Sequence, residues 1–145
     1  MNESYATLVV RRTIRATPEK LFAAWTDPQQ LVRWWGPEGV TCPAAEVDLR
    51  PGGSYRIANL MPDGTQLWIS GEFELIEAPH RLIYTWRLEL PSAGIERVSI
   101  VFEARGAATE VIVTHERIGS AAARTTHERG WQQCLAGLAR FAEGL

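Results

Sequence analysis

The opening of the chain alternates apolar and polar residues, with Leu8, Val10 and Ile14 on one side of the segment 5–14. A period of two residues predicts a β-strand. Beyond that strand, Thr17 offers an N-cap hydroxyl just before a proline and an acidic residue, which together mark a helix start. Asp27 stands in the same position before a second proline. The pattern therefore predicts one strand followed by two short helices.

Strand and turn signals fill the middle of the chain, residues 47–117. The clearest alternation places Leu82, Tyr84, Trp86 and Leu88 on one face. Turn clusters separate the alternating segments at residues 50–53, 61–64, 78–80, 91–94 and 105–107. Because these linkers are too short for crossover helices, they predict an antiparallel meander of five or six strands.

The last segment, from Ser120 onward, changes to a helical period. Trp131, Leu135 and Leu138 recur at steps of four and three residues, which predicts one long amphipathic helix capped by Ser120. His127 falls on the same stripe, one turn before Trp131. Glycine inside a helix costs about 1 kcal/mol relative to alanine. We therefore expect a close backbone approach or a bend at Gly130.

These elements predict an α+β fold in one domain, residues 1–145, with a curved antiparallel sheet across which the long helix lies. A strongly twisted sheet around one helix leaves space between them, and apolar and aromatic walls are typical of a small-molecule pocket. Trp86 and Trp131 face each other across that space, either as ligand contacts or as plain core. The predicted cavity-lining residues are Trp35, Tyr55, Ile57, Phe73, Tyr84, Trp86, Val113, His115, His127, Trp131 and Leu135.

Composition narrows the classes of partner. The 15 basic and 17 acidic residues give a net charge of −2, so the chain has no basic surplus for nucleic acid. Cys42 and Cys134 are far apart and lack metal-ligand spacing, which favours free thiols over a disulfide or a zinc site. No apolar run is long enough for a signal peptide or a membrane span. We expect a cytoplasmic protein without a metal or other cofactor.

The polar candidates are few, and no catalytic motif is recognisable. His115, at a strand end, is either a base or ligand-orienting group in the cavity, or a histidine bonded to backbone or water. His127 lies either at the cavity mouth or packed against the short helices, and His80 is expected in solvent. Trp68 falls on the polar side of its strand, which predicts an exposed aromatic residue and a candidate contact for a homodimer.

Four short runs carry a resemblance to a known family. They are TPEKLFAAWTDP at 17–28, WWGP at 34–37, DLRPGG at 48–53 and GW at 130–131. In this order they resemble the activator of heat-shock-protein ATPase homologue-like family, within the START-related (SRPBCC) superfamily. The resemblance covers nearly the whole chain. It implies a helix-grip (START/Bet v-like) fold, in which a sheet of six or seven strands curls around the C-terminal helix and encloses a ligand cavity.

Three functions follow from the aromatic cavity and from the resemblance. The first is binding of a small hydrophobic or aromatic molecule. The second, implied by the superfamily, is a cyclase, dehydratase or hydrolase acting on a polyketide-like compound, with His115 as its named residue. The third, implied by the family name, is contact with a chaperone whose ATPase it would activate. Eukaryotic activators that resemble this family carry a further N-terminal domain, for which the chain has no room.

Overall fold

The computed structural model describes residues 5–144 and has the predicted order of elements. The predicted domain boundaries at residues 1 and 145 lie outside this described part. The elements are β1 (Ala6–Ile14), α1 (Pro18–Thr26), α2 (Pro28–Trp34), β2 (Ala45–Val47), β3 (Ser54–Leu60), β4 (Gln66–Glu77), β5 (Arg81–Leu88), β6 (Glu96–Arg105), β7 (Ala108–Ile118) and α3 (Ala121–Ala142).

The strands form one seven-stranded antiparallel sheet in the order β1-β7-β6-β5-β4-β3-β2. Six of them, β2 to β7, are a continuous meander, and β1 closes the arrangement by pairing with β7. Short turns connect these strands, as antiparallel neighbours allow. The predicted helix-grip fold is confirmed, with seven strands.

Each helix begins at the side chain that the sequence indicates. The Thr17 hydroxyl accepts a hydrogen bond from the Lys20 backbone N–H at 3.1 Å. Asp27 accepts one from the Gln29 N–H at 2.9 Å, and Ser120 one from Ala123 at 3.0 Å. These caps pair backbone donors that have no partner inside the helix. The predicted helix starts are confirmed.

The long helix α3 is buried mainly along its C-terminal half. Its buried residues all lie between Trp131 and Ala142, whereas none of residues 121–130 is buried. The C-terminal end is also held by α1, since the Lys20 ammonium donates to the Ala142 carbonyl at 2.6 Å. The Glu143 carboxylate accepts from the Arg15 backbone N–H at 2.8 Å. One half of α3 is therefore part of the core and the other half covers it.

Two glycines in α3 have opposite surroundings. A Cβ added at Gly130 would meet no atom within 4 Å, so of the two alternatives predicted there the close approach is wrong and the bend stays a prediction. A Cβ added at Gly137 would lie 2.9 Å from the Trp34 carbonyl oxygen. The close backbone contact between α3 and α2 is therefore made at Gly137, two turns further along the helix.

Trp68 is half-buried, in contrast to the exposed position predicted for it. The Arg56 guanidinium lies 4.0 Å from the centroid of the Trp68 ring, and Glu89 holds that guanidinium through two hydrogen bonds of 2.8 Å. Arg56 thus covers part of the Trp68 ring through a cation–π contact. Self-association through Trp68 stays a prediction.

Among the described residues, no helix is long and apolar enough to cross a membrane.

Candidate functional site

A cavity of about 220 Å³ lies under the N-terminal half of α3, between that helix and strands β3 to β5. Its walls are mainly aromatic and aliphatic. They are formed by Trp35, Pro37, Asn59, Met61, Leu67, Ile69, Trp86, Leu88, Thr126, His127, Gly130, Trp131 and Cys134. Gly130 contributes open space to this wall, because no atom lies within 4 Å of the point where a Cβ would stand.

The predicted site residues divide between this cavity and the packed core. Trp35, Trp86, His127 and Trp131 line the cavity. The other predicted residues are buried and do not line it; they are Tyr55, Ile57, Phe73, Tyr84, Val113, His115 and Leu135. The open space is therefore displaced towards one end of the helix–sheet interface.

Packed rings fill the space where the remaining cavity was expected. The Tyr55 ring contacts Phe73 and Tyr84, with centroid distances of 5.6 and 5.0 Å. The Tyr55 hydroxyl donates to the Thr85 carbonyl at 2.6 Å, and the Tyr84 hydroxyl accepts from Trp25 Nε1–H at 3.2 Å. Both phenols have their hydrogen bonds inside the protein, and burial raises the pKa of each. These tyrosines are core groups.

The indole N–H groups of the tryptophans differ in their hydrogen bonding. Trp34 Nε1–H donates to the Ala24 carbonyl and Trp35 Nε1–H to the Asn59 side-chain oxygen, each at 2.9 Å. Trp86 is only 8% exposed, yet within residues 5–144 its Nε1–H has no hydrogen-bond partner. Buried donors are nearly always paired. Trp86 is therefore a cavity-lining residue whose buried indole donor is unused.

Three titratable side chains meet beside Trp86. Glu96, at the start of β6, places its Oε1 atom 2.5 Å from His115 Nε2 and 3.2 Å from His127 Nε2. The two imidazole rings are stacked, with centroids 4.7 Å apart and planes inclined by 15°. The Trp86 ring packs edge-on against both histidines, at 4.9 and 5.1 Å. We call Glu96, His115 and His127 the histidine cluster.

Trp131 fixes the protonation of His115. Its Nε1–H donates to His115 Nδ1 at 2.9 Å, and an indole nitrogen can only donate. His115 Nδ1 is therefore the accepting nitrogen, and Nε2 carries the proton that is donated to Glu96. Burial lowers the pKa of His115 below its ordinary value of 6.5, although the Glu96 hydrogen bond opposes this effect. His115 is neutral and fully engaged.

Glu96 is the charged member of the histidine cluster. Burial alone would raise the pKa of its carboxyl, but the hydrogen bonds from His115 and His127 outweigh this effect and lower the pKa to about 2. The carboxylate thus stays ionised at neutral pH. It accepts a hydrogen bond from His115, lies 3.2 Å from His127 Nε2, and so holds both rings in place.

The ligand-type atoms of the histidine cluster lie within 4.8 Å of one another, a spacing at which a metal ion could be considered. Histidine binds a metal through an unprotonated ring nitrogen. In His115 the unprotonated nitrogen is occupied by Trp131, and the nitrogen facing Glu96 carries a proton. The arrangement therefore suits the handling of protons better than the binding of a metal.

Sequence reasoning missed Glu96, although the alternation of β6 contains the signal. Glu96 shares its parity with Val98, Ile100 and Phe102, which are all buried. Extending that inward face by one step towards the start of the strand would have placed a carboxylate on it. The register then sets Val98 opposite His115 across β6 and β7, which brings Glu96 close to the histidine.

Two larger depressions, of about 570 and 460 Å³, lie elsewhere, between α2 and α3. Arg33 and Arg140 line both of them. They do not include the histidine cluster or Trp86. The smaller cavity beneath the N-terminal half of α3 is the place where apolar walls, an unused donor and titratable groups coincide.

Comparison with known proteins agrees with this architecture. The family model described as activator of Hsp90 ATPase homolog 1-like protein matches residues 15–143. The chain belongs to this family. No curated protein matches it. Because members of one fold family carry unrelated activities, the family describes the scaffold, and the function must be argued from the site.

Several solved structures are similar to this chain. Protein CV1439 from Chromobacterium violaceum is 29% identical, with a TM-score of 0.88 over 94% of this chain and 96% of that one. The AHSA1 protein SPO3351 from Silicibacter pomeroyi is also 29% identical, with a TM-score of 0.82 over 92% and 95% of the two chains. A protein from Rhizobium leguminosarum is 24% identical with a TM-score of 0.84, covering 98% of this chain and 97% of that one, and it shares the fold.

Proposed function

We propose that this member of the family binds a small aromatic or other mainly apolar molecule that carries a hydrogen-bond acceptor. The observation that supports the proposal is the unpaired Nε1–H of Trp86 beside a cavity with apolar walls. Leaving a buried donor unpaired costs about 1–3 kcal/mol. A bound ligand with a carbonyl or similar oxygen would recover that free energy.

The volume of the cavity restricts the ligand. Sites for drug-sized molecules typically measure about 300–1,000 Å³, whereas this one measures about 220 Å³. The ligand class is therefore that of one or two fused rings. Trp35, Trp86 and Trp131 supply flat apolar surface for such rings, which favours aromatic over branched aliphatic molecules.

The indole N–H resonances offer a direct test. We would titrate ¹⁵N-labelled protein with 2-indanone, a small bicyclic aromatic ketone, and follow the six tryptophan side chains by NMR. The Trp86 resonance, assigned by its loss in Trp86→Phe, should show a saturable downfield shift as its proton gains an acceptor. The resonances of Trp25 and Trp34, which already donate inside the core, should move little.

A matched ligand and a matched variant complete the test. Indane has the shape of 2-indanone without the oxygen, and it should bind about 2- to 10-fold more weakly, the value of one net hydrogen bond of about 0.5–1.5 kcal/mol. Trp86→Phe should remove this difference between the two ligands, whereas Trp68→Phe, on the opposite face of β4 from the cavity, should retain it. Absence of any saturable shift with either ligand would contradict the proposed function.

The predicted enzyme activity on a polyketide-like compound, the chaperone contact and the homodimer stay predictions.

A further inference from the structure

The hydrogen bonds of the histidine cluster leave one basic atom free. His127 Nε2 lies 3.2 Å from the Glu96 carboxylate, so in the neutral ring Nε2 carries the proton and Nδ1 carries the lone pair. No residue of the described chain 5–144 forms a hydrogen bond with His127 Nδ1. The side chain is 17% exposed and lines the cavity. His115, by contrast, is fully buried and uses both ring nitrogens.

We propose that His127, oriented by Glu96, is a general base that removes a proton next to the carbonyl group of a small aromatic ketone bound in the cavity. The inference rests on the proposed function, because it places the ketone oxygen on the Trp86 donor. His127 is the catalytic residue and Glu96 is its positioning residue. A base oriented by a carboxylate and facing a separate hydrogen-bond donor is the arrangement that proton abstraction requires.

The step balances without any further reactant. The C–H bond next to the carbonyl breaks, and its proton moves to His127 Nδ1. The electron pair of that bond forms a carbon–carbon double bond, while the carbonyl π pair moves onto oxygen. The enolate oxygen accepts the hydrogen bond of Trp86 Nε1–H. Return of a proton from Nδ1 to carbon regenerates the ketone, and return to another atom of the substrate isomerises it.

The surroundings of His127 stabilise the charge that this step creates. Proton uptake makes an imidazolium, and Glu96 faces it with an ionised carboxylate. The stacked neighbour His115 is held neutral by Trp131, so it adds no repulsion. The Trp86 ring, with its centroid 5.1 Å from that of His127, lines the same part of the cavity and carries an unpaired N–H. The other charged pair on this half of α3, Arg124 with Glu128, lies on a more exposed face of the helix.

Exchange of hydrogen for deuterium tests the step without knowledge of the natural substrate. We would incubate 2-indanone with the protein in D₂O and follow the loss of its α-hydrogen signals by NMR. The protein should accelerate exchange above the buffer rate. His127→Gln should lose about 100-fold or more of that acceleration, the contribution expected of a general base. His80→Gln, which alters an exposed histidine elsewhere, should retain it.

Further variants separate positioning from structure. Glu96→Gln should slow exchange at saturating 2-indanone more than it weakens binding, because the imidazolium formed in the step loses its neighbouring carboxylate. A purely structural role for Glu96 would weaken binding of 2-indanone as much as it slows exchange. Trp86→Phe should slow exchange more than it weakens binding, since the donor acts mainly on the enolate oxygen.

The outcomes distinguish this inference from the proposed function. Saturable binding of 2-indanone without accelerated exchange would overturn the general base and leave ligand binding intact. Absence of both would overturn both. Exchange that survives in His127→Gln would overturn the assignment of the base. Exchange abolished by EDTA and restored by Zn²⁺ would replace the general base with a metal centre, whereas an unchanged rate in EDTA supports the proposal.

Discussion

The two ends of the helix–sheet interface contain the same kinds of residue in opposite states. At the packed end, defined by Trp25, Trp34, Tyr55 and Tyr84, every ring has ring neighbours and every polar atom has a partner. At the cavity end, Trp86 borders open space with an unpaired N–H. Aromatic content therefore does not separate core from site in this protein. The difference lies in one polar atom, because Trp86 Nε1–H is unpaired whereas the N–H groups of the other cavity tryptophans, Trp35 and Trp131, have partners.

The largest expected effect tests the packed end. Trp25→Ala should lower the free energy of unfolding by about 3–5 kcal/mol, as for other buried aromatic residues. The Trp25 ring lies within 6.3 Å of Trp34, Trp35 and Trp131, and its N–H serves Tyr84. Trp86→Ala should lower the free energy of unfolding by less, because the Trp86 ring borders a cavity. Its removal also leaves no protein acceptor without a donor, since the Trp86 N–H is unpaired. Urea unfolding measures both, and an equal loss would contradict the comparison.

A smaller effect concerns the charge at the cavity end. Glu96→Gln should lower stability at neutral pH by about 1.5–3 kcal/mol, the value of hydrogen bonds to a charged group. Its carboxyl pKa is about 2 in the fold and 4.5 ordinarily, so the unfolded chain binds more protons in between. The stabilisation is complete above pH 4.5 and is lost as the pH falls towards 2.

The lowered pKa of His115 adds an earlier loss of stability, which begins as the pH falls below 6.5. Urea midpoints measured across the acid range should therefore converge for the wild type and Glu96→Gln, whereas the exposed control Glu103→Gln should run parallel to the wild type. A constant difference between wild type and Glu96→Gln down to about pH 2 would show that the carboxylate is not held ionised by the histidines.

The smallest effect compares the two glycines of α3. Gly130→Ala should stabilise the protein by about 1 kcal/mol, because alanine is the better helix former and the added Cβ meets open space. Gly137→Ala gains the same propensity but forces a Cβ against the Trp34 carbonyl, a strain of about 1–3 kcal/mol. Thermal unfolding should therefore shift in opposite directions. The same direction for both would mean that the helix can move away from α2.

The sequence predicted the fold well because its local signals agree with one another. The N-caps at Thr17, Asp27 and Ser120, the turn clusters and the alternation along β5 each act over a few residues, and each is confirmed. The sheet order follows from them, since short turns leave antiparallel neighbours as the available pairing. The seven-stranded grip around α3 was therefore predictable from patterns along the chain.

The position of the open space was not predictable in the same way. The alternation along the strands places Tyr55, Tyr84 and Trp86 on the same inward side. It does not show which part of the helix–sheet interface these rings fill and which part stays open. That depends on how α3 is rotated and how closely it approaches α2 at Gly137. The meeting of His115 and His127 needs the same information, because they come from different elements. Of the three residues in the histidine cluster, Glu96 alone could have been predicted to face inward from the alternation of its own strand, because it shares its parity with Val98.

The uneven burial of α3 has a consequence for the kinetics of ligand entry. Residues 121–130 have helical hydrogen bonds but no buried side chain, so local opening of this half costs far less free energy than unfolding of the domain. Thr126, His127 and Gly130 belong to this half and form one wall of the cavity. Local opening of this half would therefore widen access to the cavity while the half from Trp131 to Ala142 keeps its packing.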